Sequence, residues 1–427
     1  MSDFELGLSF LLGQSGRSLI AIFWYTILFE IPRYAFPFLA IALVQFAAAM
    51  SPRKRFVAPL PHDAPLKVSV LVVGHNEANS LESCVRSLRE QSFNEFEIVI
   101  VSDGSSDATA AIAARLVRGG LATRAFTLDL RGGKSSGVNL AIAACRGDII
   151  ISVDCDCSYD RFAIERLLGA FVDPSVGGAC GDILPRNGNT SLAARFQEIE
   201  YLMTISVGKL FVTAFDQVTC LSGAFSGFRR EAIDMVGAFD VGGGEDLDIT
   251  LRLRARGWRT AFVPAAVCYT DVPATLGTLV HQRLRWERDA VRLRYRKHKA
   301  VMLPGGRFVL AEAIHQCEFL LFNVVGTVAF VPYIGWLFAT YGEMALPVLI
   351  AIQLGLLLND ATMLALAAVI TGRPVFWRNL AYVPGYSLFS SYVMRFVRLW
   401  AYGQEWFFFG SIRDNYLPHK VRAIRRW

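Results

Sequence analysis

A short strand pattern that ends in two carboxylates constrains this chain more than any other feature. The run Ile149–Val153 contains no charge, and Asp154 and Asp156 follow it directly. Short β-branched runs that end abruptly in polar residues are typical of buried strands in α/β sheets. Ligands of open α/β sheets bind beyond the carboxyl ends of the strands, where paired carboxylates can hold a divalent cation and, through it, phosphate oxygens. An isolated Asp-x-Asp triplet is common by chance, so the rest of the chain must decide.

Hydropathy divides the chain into three parts. The 427 residues are 53% hydrophobic with a mean hydropathy of +0.38, and the excess lies in Leu19–Met50 and Phe308–Gly410. This distribution predicts a globular domain between membrane segments. We expect N-terminal interfacial and transmembrane helices in residues 1–55, a large cytoplasmic domain with interfacial helices at its C-terminal end in residues 56–300, and C-terminal transmembrane and interfacial helices with a basic tail in residues 301–427.

The first ten residues contain acids and no basic region, so we expect no cleaved signal peptide. The eight cysteines show no paired doublets of the zinc-binding kind, which favours reduced thiols in the cytosol. The basic clusters flank the apolar segments, so the net charge of +6 does not indicate a nucleic-acid partner.

The N-terminal apolar region predicts one membrane span. Tyr34–Met50 is long and apolar enough to cross a bilayer with help from adjoining residues. The charged and proline-containing segment Glu30–Arg33 separates it from Leu19–Phe29, which we interpret as an interfacial helix, with a second span as the alternative. The basic segment Pro52–Arg55 predicts that the large domain is cytoplasmic.

The C-terminal region predicts two more spans, Phe308–Tyr341 and Ala345–Thr371. The aromatic stretch Pro384–Phe409 contains charges, and the tail His419–Arg426 is strongly basic. The tail is cytoplasmic only if the aromatic stretch lies in the interface, so we predict three spans plus interfacial helices in a multi-pass protein of the inner (plasma) membrane.

The central segment alternates strands and helices. Apolar runs predict strands at Lys67–Gly74, Glu97–Ser102 and Ala125–Leu128, followed by the strand that ends at Val153. Helical patterns lie between them, the first over residues 78–91. This alternation predicts a mostly parallel sheet with ligand groups at its rim. Further along, Gly177–Leu184 is a strand pattern.

Four polar groups follow these strands. A carboxylate at Asp103 can accept from a base N–H or a ribose hydroxyl, and Lys134 can reach a phosphate as a point charge. Asp154 and Asp156 follow the fourth strand. Each group alone is equally explained as a helix cap or a solvated turn residue, but capping explains the set of four less well.

The ordered series of motifs resembles family two of the inverting glycosyltransferases, and within it the membrane-embedded processive β-glycan synthases of hyaluronan, chitin, cellulose and poly-N-acetylglucosamine. The resemblance covers about Leu66–Trp286. The motifs are His75-Asn76-Glu77, Asp103-Gly104-Ser105, Gly133-Lys134 with Asn139, Asp154-Cys155-Asp156, Gly244-Glu245-Asp246 and Gln282-Arg283-Leu284-Arg285-Trp286.

The resemblance implies a GT-A-type α/β fold and a role for each matching residue. Asp246 is expected to be the general base, with Glu245 beside it as the second catalytic carboxylate. Asp156 is expected to bind Mg²⁺ or Mn²⁺ directly, with Asp154 contacting the metal or the nucleotide ribose. The remaining matching positions are expected to bind substrate: Glu77, Asp103, Lys134, Gln282, Arg285 and Trp286. Gly244 stands where many members have threonine, which bears on acceptor preference.

Three further segments have open interpretations. Cys220–Arg230 is a Gly/Ser-rich loop that either lines the acceptor side, as in the family, or only connects two elements. Ala193–Phe215 is amphipathic and is expected to lie along a membrane surface. Gln282, Arg285 and Trp286 share one face of a helix, where the tryptophan can stack on an acceptor sugar and the arginine can hold a diphosphate.

These features predict an inverting, metal-dependent β-glycosyltransferase that uses a UDP-sugar to elongate, and translocate, a polysaccharide at the membrane. Its partners would be the donor, the growing glycan and the lipid bilayer. With few spans, a translocation channel would need a second copy of the chain or a secretion partner. The alternative is a single-transfer enzyme that glycosylates a membrane lipid. A third hypothesis is an inactive scaffold or nucleotide sensor, which the complete set of carboxylates disfavours.

Overall fold

The protein was analysed as a computed structural model, which describes residues 3–50, 66–213, 218–240, 242–303, 308–414 and 416–424. Eight strands form its sheet: β1 (Val68–Gly74), β2 (Phe96–Asp103), β3 (Arg124–Leu128), β4 (Ile149–Asp154), β5 (Ser158–Tyr159), β6 (Val176–Pro185), β7 (Phe225–Arg229) and β8 (Arg259–Thr270).

The helices surround this sheet and extend from both ends of the domain. They are α1 (Asp3–Leu12), α2 (Gly16–Tyr25), α3 (Ile31–Met50), α4 (Leu81–Arg89), α5 (Thr109–Arg118), α6 (Lys134–Ala144), α7 (Ala163–Leu168), α8 (Leu192–Glu200), α9 (Gly208–Thr213), α10 (Arg230–Val236), α11 (Glu245–Ala255), α12 (Leu276–Arg292), α13 (Leu310–Phe319), α14 (Gly326–Tyr341), α15 (Ala345–Thr371), α16 (Phe376–Leu380), α17 (Val383–Leu388), α18 (Met394–Phe408) and α19 (His419–Ile424). Single π-helical turns continue several of them.

The strand order is β3-β2-β1-β4-β7-β6-β8-β5. Strand β1 pairs in parallel with β2 and β4, β2 pairs in parallel with β3, and β6 pairs in parallel with β8. The other three pairings are antiparallel. The predicted α/β architecture with a mostly parallel sheet is therefore confirmed.

Apolar side chains cover both faces of the sheet. On one face the strands pack against α4, α5 and α7 through residues such as Leu81, Leu116 and Leu167. On the other face they pack against α6, α10 and α11, with Ile233 and Leu253 in the core. Strands buried on both faces need nearly continuous apolar runs, which is why β1, β2 and β4 could be located from the sequence.

The interpretation of Cys220–Arg230 as a loop is wrong in its second half. Phe225–Arg229 forms β7, which lies in the middle of the sheet between β4 and β6 and runs antiparallel to both. Its glycine fits a crowded position, because a Cβ on Gly227 would lie 3.1 Å from the Phe171 ring. Glycine and serine weaken strand propensity, and here the packing of two neighbouring strands overrides it.

Two other boundaries differ from the predictions. The first helix of the domain covers only Leu81–Arg89 and not residues 78–91, since Ser80 is its N-cap residue and Glu90 its C-cap residue. Strand β6 confirms the predicted strand Gly177–Leu184 and extends it by one residue at each end.

The predicted separation of the two N-terminal apolar runs is wrong. Helix α2 continues into α3 through a π-helical turn, Thr26–Glu30, without a break. The charges between the runs have partners on other helices: Arg395 Nη2 lies 2.5 Å from a Glu30 carboxylate oxygen, and Arg33 donates to Asn323 at 2.7 Å. Buried pairing of this kind lets a charged segment remain helical. The basic segment Pro52–Arg55 lies outside the described residues.

Two helical stretches are long and apolar enough to cross a membrane, as far as the described residues show: Gly16–Ile41 and Leu310–Thr371. The second contains both predicted C-terminal spans, which meet at Gly342, where φ is +54°. Helices α14 and α15 both pack against the N-terminal helix in one apolar cluster that includes Tyr25, Leu337 and Val348. The number of spans and their orientation stay predictions.

Residues 193–213 of the predicted amphipathic segment Ala193–Phe215 lie in α8, a π-helical turn and α9, and its last two residues lie outside the described residues. It lies between the sheet domain and the apolar helices, since Phe196 packs against Phe389 and Met363 belongs to the same buried cluster. An ion pair of 2.6 Å between Arg373 and the buried Asp182 joins the end of α15 to strand β6. The sheet domain and the C-terminal helices are therefore joined by both apolar and charged contacts.

Candidate active site

Asp103, at the end of β2, holds the loop that leads into α6. Its two carboxylate oxygens accept from the N–H groups of Gly132 at 2.6 Å and Gly133 at 2.8 Å, and its side chain is buried. Its backbone oxygen is 2.8 Å from Nδ1 of His75, which follows β1. Asp103 therefore anchors the glycine pair that precedes Lys134, and the predicted contact with a base or ribose stays a prediction.

Lys134 is the first residue of α6 and lies at the centre of the carboxylate cluster. Its Nζ is 2.6 Å from Asp154 Oδ1 and 3.2 Å from Glu245 Oε1, and it donates to the Gly223 carbonyl at 3.4 Å. Burial alone would lower the pKa of Lys134, but the carboxylates of Asp154 and Glu245 raise it well above its ordinary value. Lys134 is therefore a fixed positive charge among acids that come from distant parts of the chain.

Asp154 and Asp156 lie at the end of β4, as predicted. Burial raises the pKa of Asp154, Lys134 lowers it, and the nearby Asp156 raises it again. Burial also raises the pKa of Asp156, with a further contribution from Glu77, which follows β1. The structure therefore brings three acids of the predicted site, Glu77, Asp154 and Asp156, to one edge of the sheet.

Arg186 directly follows β6 and stabilises the turn that contains Asp156. Its guanidinium donates to the Asp156 carbonyl and to Ser158 Oγ, both at 3.0 Å, and pairs with both carboxylate oxygens of Asp271. Bidentate pairing orients the planar guanidinium, which in turn holds the turn in place. Sequence reasoning missed this residue, because its contacts join segments far apart in the chain.

Asp246, the predicted base, lies in the first turn of α11 and faces the same cluster. Its Oδ2 accepts from the Gly223 N–H at 3.2 Å. Burial and the adjacent Glu245 raise the pKa of Asp246, while Lys134 lowers it. Helix α11 begins after Gly244, which has a left-handed conformation with φ of +69°. Glycine adopts this conformation without strain, which gives a local reason for the departure from threonine.

The Gln282–Trp286 motif lies on α12. Arg283 is buried between Glu200, at 2.6 Å, and the Trp286 ring, whose centroid is 4.2 Å from the guanidinium carbon. Gln282 accepts a hydrogen bond from Arg283 at 2.8 Å. Trp286 remains 40% exposed, so its ring is available for stacking. The Arg285 guanidinium lies over the Tyr416 ring, in the C-terminal part of the chain.

The segment after α18 contacts Arg131, Arg285 and Gly133, which the sequence did not indicate. The Tyr416 ring lies 3.9 Å from the Arg285 guanidinium carbon, and its carbonyl accepts from Arg131 at 3.0 Å. Burial raises the pKa of Tyr416, while Arg285 and Lys134 lower it. Pro418 packs beside Gly133, 3.6 Å from where a Cβ would lie. A basic C-terminal tail has no local pattern that would predict such contacts.

Lys134, Asp154, Glu245, Asp246 and the Gly223 backbone thus form one contiguous cluster, with Asp156 and Glu77 beside it and Asp103 behind it. Residues 69–237 match the family model described as "Glycosyl transferase family 2". The chain contains a glycosyltransferase family 2 domain. The predicted resemblance and the predicted enzyme class are therefore confirmed at the level of this domain.

Relatives of known name agree with this family. The glycosyltransferase domain is similar to a poly-β-1,6-N-acetyl-D-glucosamine synthase of Staphylococcus aureus, with 30% identity over 223 residues, covering 51% of this chain and 53% of the relative. It is also similar to an N-acetylglucosaminyltransferase of Azorhizobium caulinodans, with 32% identity over 251 residues, covering 55% of this chain and 63% of the relative. The chain thus spans between about half and two thirds of the length of these relatives.

A solved structure shares the fold over most of the chain. The mannosyltransferase of Pyrobaculum calidifontis, in complex with GDP-Man and Mn²⁺, superposes with a TM-score of 0.55 and 19% identity. The superposition covers 89% of this chain and 99% of the mannosyltransferase. The predicted GT-A-type fold of the glycosyltransferase domain is confirmed by this likeness.

Proposed function

We propose that the protein is an inverting, metal-dependent β-glycosyltransferase that uses a UDP-sugar to elongate a polysaccharide at the membrane and to move it across. The observation that supports this most is the contact of Lys134 with both Asp154 and Glu245. That contact brings the predicted donor side and the predicted acceptor side within one hydrogen-bonded cluster, as direct transfer between two substrates requires.

In the proposed reaction, the Asp246 carboxylate accepts the proton of an acceptor hydroxyl while the hydroxyl oxygen bonds to the anomeric carbon of the donor. The bond between that carbon and the diphosphate oxygen breaks, and UDP leaves with the electron pair. One displacement inverts the anomeric centre. A buried carboxylate with a raised pKa is a stronger base than an exposed one. Lys134 and Arg285 supply positive charge for the departing diphosphate.

The residues at the end of β4 fit a divalent cation. Asp154 and Asp156 offer hard oxygen ligands. Burial and the repulsion between the two carboxylates raise the pKa of Asp154, and a cation would relieve that repulsion. No group of three or more His, Cys, Asp or Glu side chains within the described ranges is arranged to hold a metal. Magnesium commonly binds one or two carboxylates together with substrate phosphates, and Mn²⁺ accepts similar ligands. The cation would act as a Lewis acid on the diphosphate.

The names of the similar proteins favour N-acetylglucosamine as the sugar of the donor. Because the similar proteins of S. aureus and A. caulinodans are named for N-acetylglucosamine, we propose UDP-N-acetylglucosamine as the donor and a poly-N-acetylglucosamine chain as the growing acceptor. Trp286 would stack on the acceptor sugar, since its ring is partly exposed.

Translocation is supported by charged pairs that lead from the site toward the apolar helices. Glu287, next to Trp286, lies 3.0 Å from Arg398, and one helical turn earlier Arg395 pairs with Glu30. Polar groups among membrane helices commonly mark substrate pathways. Helix α18 buries Glu405 and exposes Phe396, Trp400 and Phe407, which suits contact with a bilayer.

We further propose that residues 56–300 are the cytoplasmic catalytic domain, with membrane and interfacial helices in residues 1–55 and 301–427. A second copy of the chain or a secretion partner would complete the channel.

The test is a donor screen with the purified full-length protein in lipid. UDP release is measured with a panel of UDP-sugars, with Mg²⁺ or Mn²⁺ and with a chelator, and the labelled product is sized. We expect release with UDP-N-acetylglucosamine and a ladder of products that depends on the cation. A single lipid-soluble product would support the alternative, glycosylation of a membrane lipid. UDP binding without release from any donor would contradict transferase activity and favour the nucleotide sensor.

A further inference from the structure

The loop Cys220–Gly223 lies directly against the proposed base. The Gly223 N–H donates to Asp246 Oδ2 at 3.2 Å, and the Gly223 carbonyl accepts from Lys134 at 3.4 Å. One peptide segment therefore contacts both the base and the cation of the cluster. The position of this loop determines whether the Asp246 carboxylate has a donor on the side that faces the substrates.

Thr250 ties this loop to the helix of the base. Its hydroxyl donates to the Asp246 carbonyl at 2.6 Å and accepts from the Leu221 N–H at 2.9 Å. Threonine in a helix can place Oγ1 beside the carbonyl four residues earlier, which leaves a lone pair for another donor. Both Thr250 and Leu221 are fully buried, so the Leu221 N–H would have no water in place of the threonine oxygen.

A second contact holds the same loop from the opposite side. Lys209, on α9, donates to Ser222 Oγ and lies 3.5 Å from Cys180 Sγ. The loop is thus attached to α11 by Thr250 and to α9 by Lys209, with Gly223 as the next residue. Two attachments at successive residues, the first of them fully buried, restrict the direction of the Gly223 N–H.

We propose that Thr250 is a positioning residue for glycosyl transfer: through Leu221 it holds the loop so that the Gly223 N–H stays on the Asp246 carboxylate. This role rests on the proposed function, in which Asp246 is the base. Thr250 itself contacts neither substrate. Loss of the Thr250 hydroxyl would displace the hydrogen bond between the Gly223 N–H and Asp246. The residues at the ends of β1, β2 and β4 that are proposed to bind the sugar donor would keep their positions.

The experiment compares Thr250→Val, which keeps the shape and removes the hydroxyl, with Thr250→Ser, which keeps the hydroxyl. The wild type and both variants are assayed in lipid for kcat and donor KM with UDP-N-acetylglucosamine, or with the donor found active in the screen, and for UDP affinity. We expect Thr250→Val to lower kcat about 10-fold with donor KM and UDP affinity unchanged, and Thr250→Ser to retain most of the activity.

The matched control is Thr260→Val. Thr260 is also buried and donates to a backbone carbonyl, that of Val218, which keeps a second donor in Arg254. We expect this variant to retain wild-type kcat. If Thr250→Val does not fold, Lys209→Gln releases the same loop from its other attachment, and the same loss of kcat is expected.

Wild-type kcat in Thr250→Val, or an equal loss in Thr260→Val, would overturn the role of Thr250 and leave the proposed function standing. Failure of the wild type to release UDP from any donor would instead contradict the proposed function, and the positioning role with it.

Discussion

The two halves of the sheet build the site in different ways. In the first half, β1 to β4 lie side by side in the sheet and all pair in parallel, and each site residue lies within a few residues of a strand end or at the start of the next helix. In the second half, β5 to β8 are neither in chain order nor all parallel. Its site groups come from a loop, two helices and the C-terminal segment, and they are brought together by hydrogen bonds and ring contacts.

The two halves show two ways in which side chains can be brought together at one edge of a sheet. Parallel strands with short connections converge at their carboxyl ends by geometry alone, so Glu77, Asp103 and Asp154 need little further support to lie together. Asp246 and Arg285 have no such constraint. They depend on partners that do not lie on neighbouring parallel strands: Gly223 in a loop and Tyr416 in the C-terminal segment. Substitutions should therefore separate donor binding in the first half from transfer chemistry in the second.

The largest effect on transfer chemistry in the second half is expected from Asp246→Asn. The substitution keeps the side-chain shape and removes the base, so we expect the rate of transfer to fall about 1,000-fold while UDP affinity is retained. UDP release and UDP binding, measured on the same preparation, check this. Asp234→Asn, on the exposed face of α10, is the matched control and should behave as the wild type. Retention of transfer by Asp246→Asn would remove Asp246 from the role of base.

The second-largest effect is expected from a substitution in the first half of the sheet. Lys134→Met removes the cation that lies between Asp154 and Glu245, so these acids repel one another and the diphosphate loses a counter-charge. We expect kcat/KM to fall about 100-fold, with a large part of the loss in donor KM and UDP affinity. Lys67→Met, at the exposed start of β1, is the control. Unchanged UDP affinity in Lys134→Met would place the lysine outside the donor site.

The part of the fold and of the site that could be predicted from the sequence follows the same division between the two halves of the sheet. The strands β1 to β4 and the positions of Asp103, Lys134, Asp154 and Asp156 could be found from apolar runs that end in polar residues, because buried parallel strands require that pattern. The anchoring of Gly132 and Gly133 by Asp103 could not, since a carboxylate after a strand has the same pattern whether it binds a nucleotide or a backbone N–H.

In the second half, strand β6 could be located from its sequence pattern, but the site residues could be located only through the family resemblance. The sequence predicts a loop where β7 forms, because Ser226 and Gly227 have low strand propensity and the strand is stabilised by its two neighbours. The contact of Tyr416 with Arg285 joins residues more than 100 positions apart, and no local pattern encodes it. The continuity of the N-terminal helix through Glu30 likewise depends on Arg395, a partner that only the folded chain brings near.

Gly223 lies where the two halves meet, which makes it the most selective probe of their connection. A Cβ at this position would lie 3.0 Å from Lys134 Nζ, 3.5 Å from Glu245 Oε1 and 3.6 Å from Asp246 Oδ2. Gly223 is not among the glycines with positive φ, so alanine suits its backbone and the effect comes from the methyl group alone. The lysine end is flexible and can move by a few tenths of an ångström.

We therefore expect Gly223→Ala to fold with unchanged thermal stability and to lose about 10-fold in kcat/KM, shared between donor KM and kcat, because the methyl group displaces the cation and the base together. Gly277→Ala, where a Cβ meets nothing within 4 Å, is the control. A loss confined to UDP affinity would assign this position to the donor half, and a loss confined to kcat would assign it to the acceptor half. Wild-type UDP affinity together with wild-type kcat would mean that the contact of Lys134 with Gly223 does not connect the two halves of the sheet.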